Sequence, residues 1–325
     1  MNTAVQQTDY DALSCKVSAI SKHYLPCPRQ IEECGFRDYS GIQMEYIRVL
    51  RMLSRRAYGK ISRAVSSTMP VMNYGTYLRT VSIDLSIEEF MRKHQDEETQ
   101  ILNLGSGSDL RMIQLLARFP KTTYIDLDFQ ESVKLKAKVL RNSDQFVNFF
   151  QLNSSEGEEI NTDRYKLLTA DLKDVPRVLE LLSRIASKKV PTLILTECVL
   201  CYIPQAESQQ LIDSVAEYFT HGKWVSYDPI GGNKVNDRFG TIMQDNLRES
   251  RHLEMPTLMI YNSPESYALR LKNISHNIHI QIMWDYYMNE VSDEEKNRLK
   301  ALQFLDEIEE LEIMLSHYIL LEATW

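Results

Sequence analysis

Residues 99–111 read TQILNLGSGSDLR, an apolar segment that runs directly into a glycine turn. We predict a strand at 100–104 and a helix at 109–118. A strand, turn and helix in this order place the turn at the carboxyl edge of a parallel sheet, where open α/β sheets bind ligands. Only 11 of 325 residues are glycine, about 3% against a usual ~7%. Gly105 and Gly107 in one tripeptide therefore indicate that the backbone approaches a ligand closely.

The chain alternates short apolar segments and helical patterns from residue 99 onward. The predicted strands are 100–104, 122–128, 165–170, 191–197 and 223–228, and the predicted helices are 109–118, 129–141, 174–188, 205–220 and 236–251. This alternation predicts a parallel sheet that is covered on both faces. A strand at 277–283, a helix at 292–314 and a final strand at 316–324 follow. This ending matches the seven-stranded methyltransferase sheet, in which the last strand inserts antiparallel.

The N-terminal part has a different pattern. Helices are predicted at 9–24, 42–67 and 73–94, and the second of them is basic and amphipathic. No linker separates this part from the rest, so we expect residues 1–95 to form a helical cap packed on a domain of residues 96–325, in a single structural unit. The polar residues 151–162 are predicted to form a surface loop.

Composition excludes several classes of protein. The 37 basic and 45 acidic residues give a net charge of −8, which disfavours a nucleic-acid-binding face. No apolar run approaches the ~18 residues of a membrane span, and the polar N-terminus resembles no targeting peptide. The five cysteines are typical of reduced thiols in a cytoplasmic protein.

Two ligand classes compete for the glycine turn. A dinucleotide needs a third glycine where this chain has Leu110. S-adenosylmethionine has no phosphate and fits the GxGxD turn better. Asp128 ends the second strand, about 20 residues further on, where a carboxylate accepts ribose hydroxyls. Asp171 ends the third strand and is placed for the adenine amino group, with Leu172 against the ring.

Several segments together resemble the leucine carboxyl methyltransferases, over nearly the whole chain. They are SCK (14–16), MNYGTYLRT (72–80), NLGSGSDLR (103–111), ADL (170–172), TECVLCY (196–202), DRFGTIMQDNL (237–247) and ALQFLDEIEELE (301–312). The resemblance implies that S-adenosylmethionine is used to methyl-esterify the C-terminal leucine of the catalytic subunit of type 2A protein phosphatases. The resemblance further implies that this modification regulates assembly of the phosphatase holoenzyme. The expected fold is a class I methyltransferase domain with an N-terminal cap, and the expected state is a monomer.

The resemblance also implies the residues that contact the cofactor. They are Lys16, Arg79, Gly105, Asp128, Asp171, Leu172 and Glu197. Arg79 can offer a bidentate fork to the methionine carboxylate, and Lys16 can add a second charge. Glu197 is placed to meet the positive aminoacid or sulfonium end. It interrupts an apolar run, and an unpaired buried carboxylate is costly.

The acceptor is expected to need no catalytic acid or base, since an α-carboxylate with a pKa of roughly 3.5 is already ionised at neutral pH. For positioning this substrate we predict Tyr202, Tyr227, Asp237 and Arg238. Asp237 and Arg238 form an ion pair with each other in an alternative interpretation.

No metal is expected, because the histidines show no ligand spacing. The C-x-x-C at 198–201 lacks the second pair of a zinc site and the helix start of a redox site.

Two alternative functions stay open. In the first, the chain is a related methyltransferase that acts on a carboxylate of a tRNA nucleoside or of a small metabolite. The tRNA enzymes carry a further large domain and need a basic face, and a chain of 325 residues with a net charge of −8 has neither. In the second, the chain is a catalytically silent, cofactor-binding regulator of a phosphatase. The full set of cofactor residues argues against this alternative, because a silent protein does not need all of them.

Overall fold

The computed structural model of the chain describes residues 2–36, 38–152 and 157–325. Residues 153–156 of the predicted surface loop lie outside the described residues. Within the described part, no helix is both long and apolar enough to cross a membrane.

The cap consists of five helices in the described residues. They are α1 (Asn2–Ser21), α2 (Pro28–Glu32), α3 (Tyr39–Leu53), α4 (Arg55–Ser67) and α5 (Pro70–Lys93). The predicted helix 42–67 is therefore two helices. Ser54 adopts an extended conformation between them, with φ −147° and ψ 91°. Its hydroxyl accepts a hydrogen bond from the Ala57 N–H at 3.2 Å, so Ser54 caps α4.

One mixed sheet forms the centre of the molecule. Its strands are β1 (Thr99–Leu104), β2 (Thr122–Asp128), β3 (Ile160–Asn161), β4 (Tyr165–Thr169), β5 (Thr192–Glu197), β6 (Gly222–Pro229), β7 (Asn277–Ile282) and β8 (Tyr318–Thr324). Their order is β3-β4-β2-β1-β5-β6-β8-β7. The five strands from β4 to β6 are parallel, and β8 lies antiparallel between β6 and β7. The seven-stranded arrangement is confirmed, and the two-residue β3 adds an eighth strand at the β4 edge.

The remaining helices connect the strands or follow them. They are α6 (Arg111–Arg118), α7 (Gln130–Arg141), α8 (Asp144–Phe150), α9 (Val175–Ile185), α10 (Gln205–Tyr218), α11 (Phe239–Arg251), α12 (Pro264–Ala268), α13 (Met283–Asn289), α14 (Asp293–Leu302) and α15 (Ile308–Leu315). The predicted helix 292–314 is divided into α14 and α15, because Gln303 is extended at φ −147°. The sequence did not predict α8, α12 or α13.

The two faces of the sheet have separate cores, because side chains of a strand alternate between faces. Ile101 and Tyr124 pack in a cluster that also contains Leu50 and Leu78 of the cap. Leu102 lies in the second cluster, on the opposite face, with residues of α9 and α10. The cap therefore covers one face of the sheet and reaches over the carboxyl ends of the strands.

Candidate active site

A cavity of about 700 Å³ lies at the carboxyl ends of β1, β2, β4 and β5. Strand-end residues line its floor, and helices α1 and α5 of the cap line its wall. Every cofactor residue expected from the sequence is among its lining: Lys16, Arg79, Gly105, Asp128, Asp171, Leu172 and Glu197. Segments far apart in the chain thus meet in one site.

The glycine turn needs its glycines for two reasons. Gly105 and Gly107 have φ values of +71° and +46°, which side chains disfavour. A Cβ on Gly105 would lie 2.5 Å from Val199, and one on Gly107 would lie 2.4 Å from Asp9. The turn is fixed from the next strand, since the Gly107 N–H donates to Asp128 Oδ2 at 2.6 Å. At this turn, the part of the cavity floor formed by Gly105 and Gly107 is therefore backbone without side chains.

Asp128 is the carboxylate best placed for a ribose. It also accepts a hydrogen bond from the Phe129 N–H, at 2.6 Å from its Oδ1. Burial raises the pKa of Asp128 to about 6, although both backbone N–H groups oppose this change. Each oxygen keeps a further acceptor site, as two ribose hydroxyls require.

Glu197 holds two arginines at the other side of the cavity. Its Oε1 lies 2.5 Å from Arg79 Nε, and its Oε2 lies 2.6 Å from Arg111 Nη1. Burial alone would raise the pKa of Glu197, but Arg111 and Arg79 outweigh this effect and hold the pKa well below its usual range. Glu197 is therefore ionised, and its direct bonds go to the guanidinium groups. Contact with a cationic end of the cofactor stays a prediction.

The network extends beyond Glu197. Arg111 Nε lies 2.5 Å from Asp84 Oδ1, and Arg111 Nη1 lies 3.1 Å from Asp109. Asp109 also lies 3.6 Å from Lys16 Nζ. Three cations and three carboxylates thus balance one another in a buried place, where an unpaired charge would be costly.

Sequence reasoning missed three residues of this site. Arg111 was predicted only as part of a helix, and Asp84 was not considered. Asp84 interrupts the apolar run TVSIDLSI (80–87), the same signal that drew attention to Glu197. Asp9 was also missed: its Oδ1 accepts from the Ser108 N–H at 2.7 Å and attaches α1 to the glycine turn. No pattern in the sequence around Asp9 predicts its contact with Ser108.

Two of the predicted substrate residues, Tyr202 and Tyr227, line the cavity. The Tyr227 ring stacks on Tyr318 with centroids 5.6 Å apart, and the Arg79 guanidinium lies 5.6 Å from its centroid. Burial raises the pKa of Tyr202 and Tyr227 well above its usual range. Both phenols therefore stay protonated, and no histidine is among the described residues of the lining.

The other two, Asp237 and Arg238, are not among the described residues that line the cavity. Asp237 Oδ2 lies 2.9 Å from His317 Nε2, so the carboxylate pairs with this histidine instead of Arg238. Arg238 is exposed at the start of α11. The same helix reaches the cavity through Met243 and Leu247. A positioning role for Asp237 and Arg238 stays a prediction.

The C-x-x-C at 198–201 consists of free thiols. Burial raises the pKa of Cys198 to about 12, and that of Cys201 well above its usual range. Neither is a thiolate at neutral pH, as a redox or metal site would need. Within the described part of the chain, no cluster of potential metal ligands is present.

The arrangement fits S-adenosylmethionine. The glycine turn would lie under it, Asp128 would hold the ribose, Asp171 and Leu172 would hold the adenine, and Arg79 would hold the methionine carboxylate. Two solved structures share the fold. A putative methyltransferase from Thermobifida fusca covers 85% of this chain and 93% of its own, at 12% identity and a TM-score of 0.54. A protein from Streptomyces avermitilis covers 85% and 96%, at 10% identity and a TM-score of 0.51. Fold and site thus define the class I methyltransferase fold with a cavity that suits S-adenosylmethionine.

A family model described as leucine carboxyl methyltransferase matches residues 40–216. The protein called leucine carboxyl methyltransferase 1 in Eremothecium gossypii is 48% identical over 100% of both chains. Its namesake in Kluyveromyces lactis is 45% identical over 100% of this chain and 99% of its own. A homologue in Arabidopsis thaliana is 29% identical over 97% and 87%. The chain belongs to the leucine carboxyl methyltransferase family and is an S-adenosylmethionine-dependent carboxyl methyltransferase.

Proposed function

We propose that this enzyme methyl-esterifies the α-carboxylate of the C-terminal leucine of the type 2A protein phosphatase catalytic subunit. The full-length identity to proteins called leucine carboxyl methyltransferase 1 supports a leucine carboxylate as acceptor. The proposed role is regulation of phosphatase holoenzyme assembly by a monomeric, cytoplasmic enzyme. Esterification removes the negative charge of the tail, and this change is what partner subunits would sense.

The single observation that carries the proposal is that the cavity wall offers no free base, because its carboxylates are already bonded to cations or to backbone N–H groups. The described lining contains no histidine, its tyrosines stay protonated, and burial raises the pKa of Cys15 and Cys198. An alcohol or amine acceptor would need a group to take its proton. A carboxylate needs none, because it is ionised at neutral pH.

The chain contributes binding and orientation. When bound, S-adenosylmethionine supplies an electrophilic methyl group on a sulfonium. Arg79 holds its guanidinium toward the cavity because Glu197 binds the Nε side of it. Tyr227 and Tyr318 stack beside this guanidinium and keep water away from the acceptor. Alignment and loss of water around the carboxylate are then the main sources of rate enhancement.

The test uses labelled S-adenosylmethionine with the phosphatase catalytic subunit, either intact or lacking its terminal leucine. Base-labile label is expected on the intact subunit only. Arg79→Ala should lose this activity, and Arg177→Ala, on the exposed surface of α9, should keep it. Label that does not depend on the leucine, or no label on the intact subunit, would overturn the proposal.

A further inference from the structure

One segment of the cap has a charge opposite to that of the whole protein. Residues 46–83 contain seven Lys and Arg and no Asp or Glu, in a chain of net charge −8. Six of the seven lie on α3 and α4. One of the six, Arg48, pairs with Glu45, and we name the other five the basic strip: Arg51, Arg55, Arg56, Lys60 and Arg63. The four arginines are exposed, and Lys60 is half-buried.

The basic strip has no compensating acid among the residues that the structure describes. In the described parts of the chain, none of its five cations lies within ion-pairing distance of a carboxylate. Arg51 lies over the Tyr58 ring and Lys60 over the Tyr10 ring, at 5.3 and 6.0 Å from the centroids. Arg63 donates to the carbonyl oxygen of Gly59 at 3.0 Å. These contacts leave the positive charges unneutralised.

Exposed arginines elsewhere are mostly paired. Arg48 lies 2.6 Å from Glu45, and Arg92 lies 2.8 Å from Glu88. Arg177 of α9 pairs with Glu180. The basic strip is thus a local exception, and its uncompensated charge raises the concentration of negative groups near it.

The basic strip leads to the active-site cavity. The end of α4 lines the cavity through Ala64 and Ser67. Met69 and Met72, which follow, line it too and are 54% and 40% exposed. From Ser67 back to Arg55 the helix is about 18 Å long at ~1.5 Å per residue. An extended peptide at ~3.3 Å per residue covers that length with about five or six residues.

We propose that the basic strip binds an acidic segment that directly precedes the C-terminal leucine of the protein substrate. This inference rests on the proposed function, since it places the leucine in the cavity and the preceding residues along α4. The apolar mouth accepts the leucine side chain, and the five cations select the negative charge behind it. Such attraction acts mainly on association, so it lowers the KM and weakens with salt.

The first experiment measures steady-state methylation of the phosphatase catalytic subunit. The test variant is Arg55→Glu/Arg56→Glu/Arg63→Glu. The control variant, Lys189→Glu/Lys272→Glu/Lys300→Glu, makes the same change of net charge at exposed sites away from the cavity. We expect the test variant to raise the KM at least tenfold, with kcat and the Kd for S-adenosylhomocysteine unchanged. The KM of the wild type should rise with salt, whereas that of the test variant should stay flat.

The second experiment measures binding of ten-residue peptides that end in leucine, by calorimetry in the presence of S-adenosylhomocysteine. One peptide carries three Glu in the six residues before the leucine, and its partner carries Gln at the same positions. The Glu peptide should bind the wild type at least tenfold more tightly, and the two should bind the test variant equally. Equal binding to the wild type, or binding of neither peptide, would overturn the inference.

A different ligand of the basic strip would give different results in these experiments. If the basic strip bound nucleic acid or membranes instead, a 20-nucleotide RNA or phosphatidylserine vesicles would bind the wild type and not the test variant, and the Glu peptide would show no preference. Failure of the proposed function looks different: neither wild type nor control variant would label the phosphatase subunit, while the peptides would still report on the basic strip.

Discussion

Replacement of Arg111 by methionine would expose the energetic cost of the buried charge network. Arg111 and Asp84 have side chains that are 1% and 0% exposed, and they contact at 2.5 Å. After the replacement, Glu197 keeps Arg79 and Asp109 keeps Lys16, but Asp84 keeps only the amide hydrogen bond from Gln30. Breaking a buried pair in this way costs about 3–5 kcal/mol. For 325 residues, an unfolding entropy of ~2.1 cal/mol/K per residue converts this cost into a Tm lower by about 4–7 °C.

The effect should also depend on pH. Burial raises the pKa of Asp84, and Arg111 opposes this effect; without Arg111 the folded-state pKa rises further. A folded-state pKa above the unfolded value means that the folded state binds the proton more tightly, so stability is gained as pH falls. The Tm deficit of Arg111→Met should therefore be largest near pH 8 and should shrink toward pH 5.

The assay is thermal unfolding followed by circular dichroism, together with two further variants. Arg111→Met/Asp84→Leu removes both charges and should recover most of the lost stability, because replacing a whole buried pair by apolar groups is often neutral. Arg184→Met, on the exposed part of α9, should change the Tm by no more than about 1 °C. A double variant less stable than Arg111→Met, or an unchanged Tm for Arg111→Met, would refute the assignment of Arg111 and Asp84 as a coupled pair.

Three further predictions concern ligand binding. Arg79→Ala should weaken binding of S-adenosylhomocysteine about 10–100-fold, since a hydrogen bond to a charged group contributes ~1.5–3 kcal/mol; unchanged affinity by calorimetry would contradict this. Arg238→Ala should raise the KM for the protein substrate, measured kinetically, far more than the Kd for the cofactor, measured by calorimetry. An equal rise of the KM and the Kd would exclude a substrate-specific role for Arg238. With an Asp128 pKa of about 6, cofactor affinity should fall as the pH drops from 7 to 5, because protonation removes an acceptor for ribose. The Asp128→Asn variant should bind the cofactor weakly, with an affinity that does not change between pH 7 and 5. If its affinity still fell with pH, a group other than Asp128 would be responsible.

The parallel part of the sheet was predictable because its strands are short apolar segments between amphipathic helices. A buried parallel strand must be apolar on both faces, so β1, β2 and β5 were evident at nearly their observed bounds. The breaks at Ser54 and Gln303 were not evident, since neither residue forbids a helix. The two-residue β3 was missed for a similar reason, because it has too few residues to show alternation.

The cofactor side of the site was predictable where chemistry follows the end of a strand. Gly105 and Asp128 sit at such ends, and the parallel sheet brings these ends to one edge. Arg79 and Lys16 came only from the family resemblance, since their helices show no local sign of a ligand. Arg111 was not predictable at all, because its partners Asp84 and Glu197 come from separate segments of the chain.

The sequence by itself determined the class of fold, the glycine turn and the acids at the strand ends, because each of these depends on a few neighbouring residues. The tertiary structure decided how the charges are shared. Only packing of the cap against the sheet places Arg79 and Arg111 on opposite oxygens of Glu197. The same packing brings the C-terminal end of α4, the helix that carries the unpaired arginines, to the cavity through Ala64 and Ser67. Charge balance and proximity depend on distances in space, and those distances arise only when segments remote in sequence bury their apolar faces together.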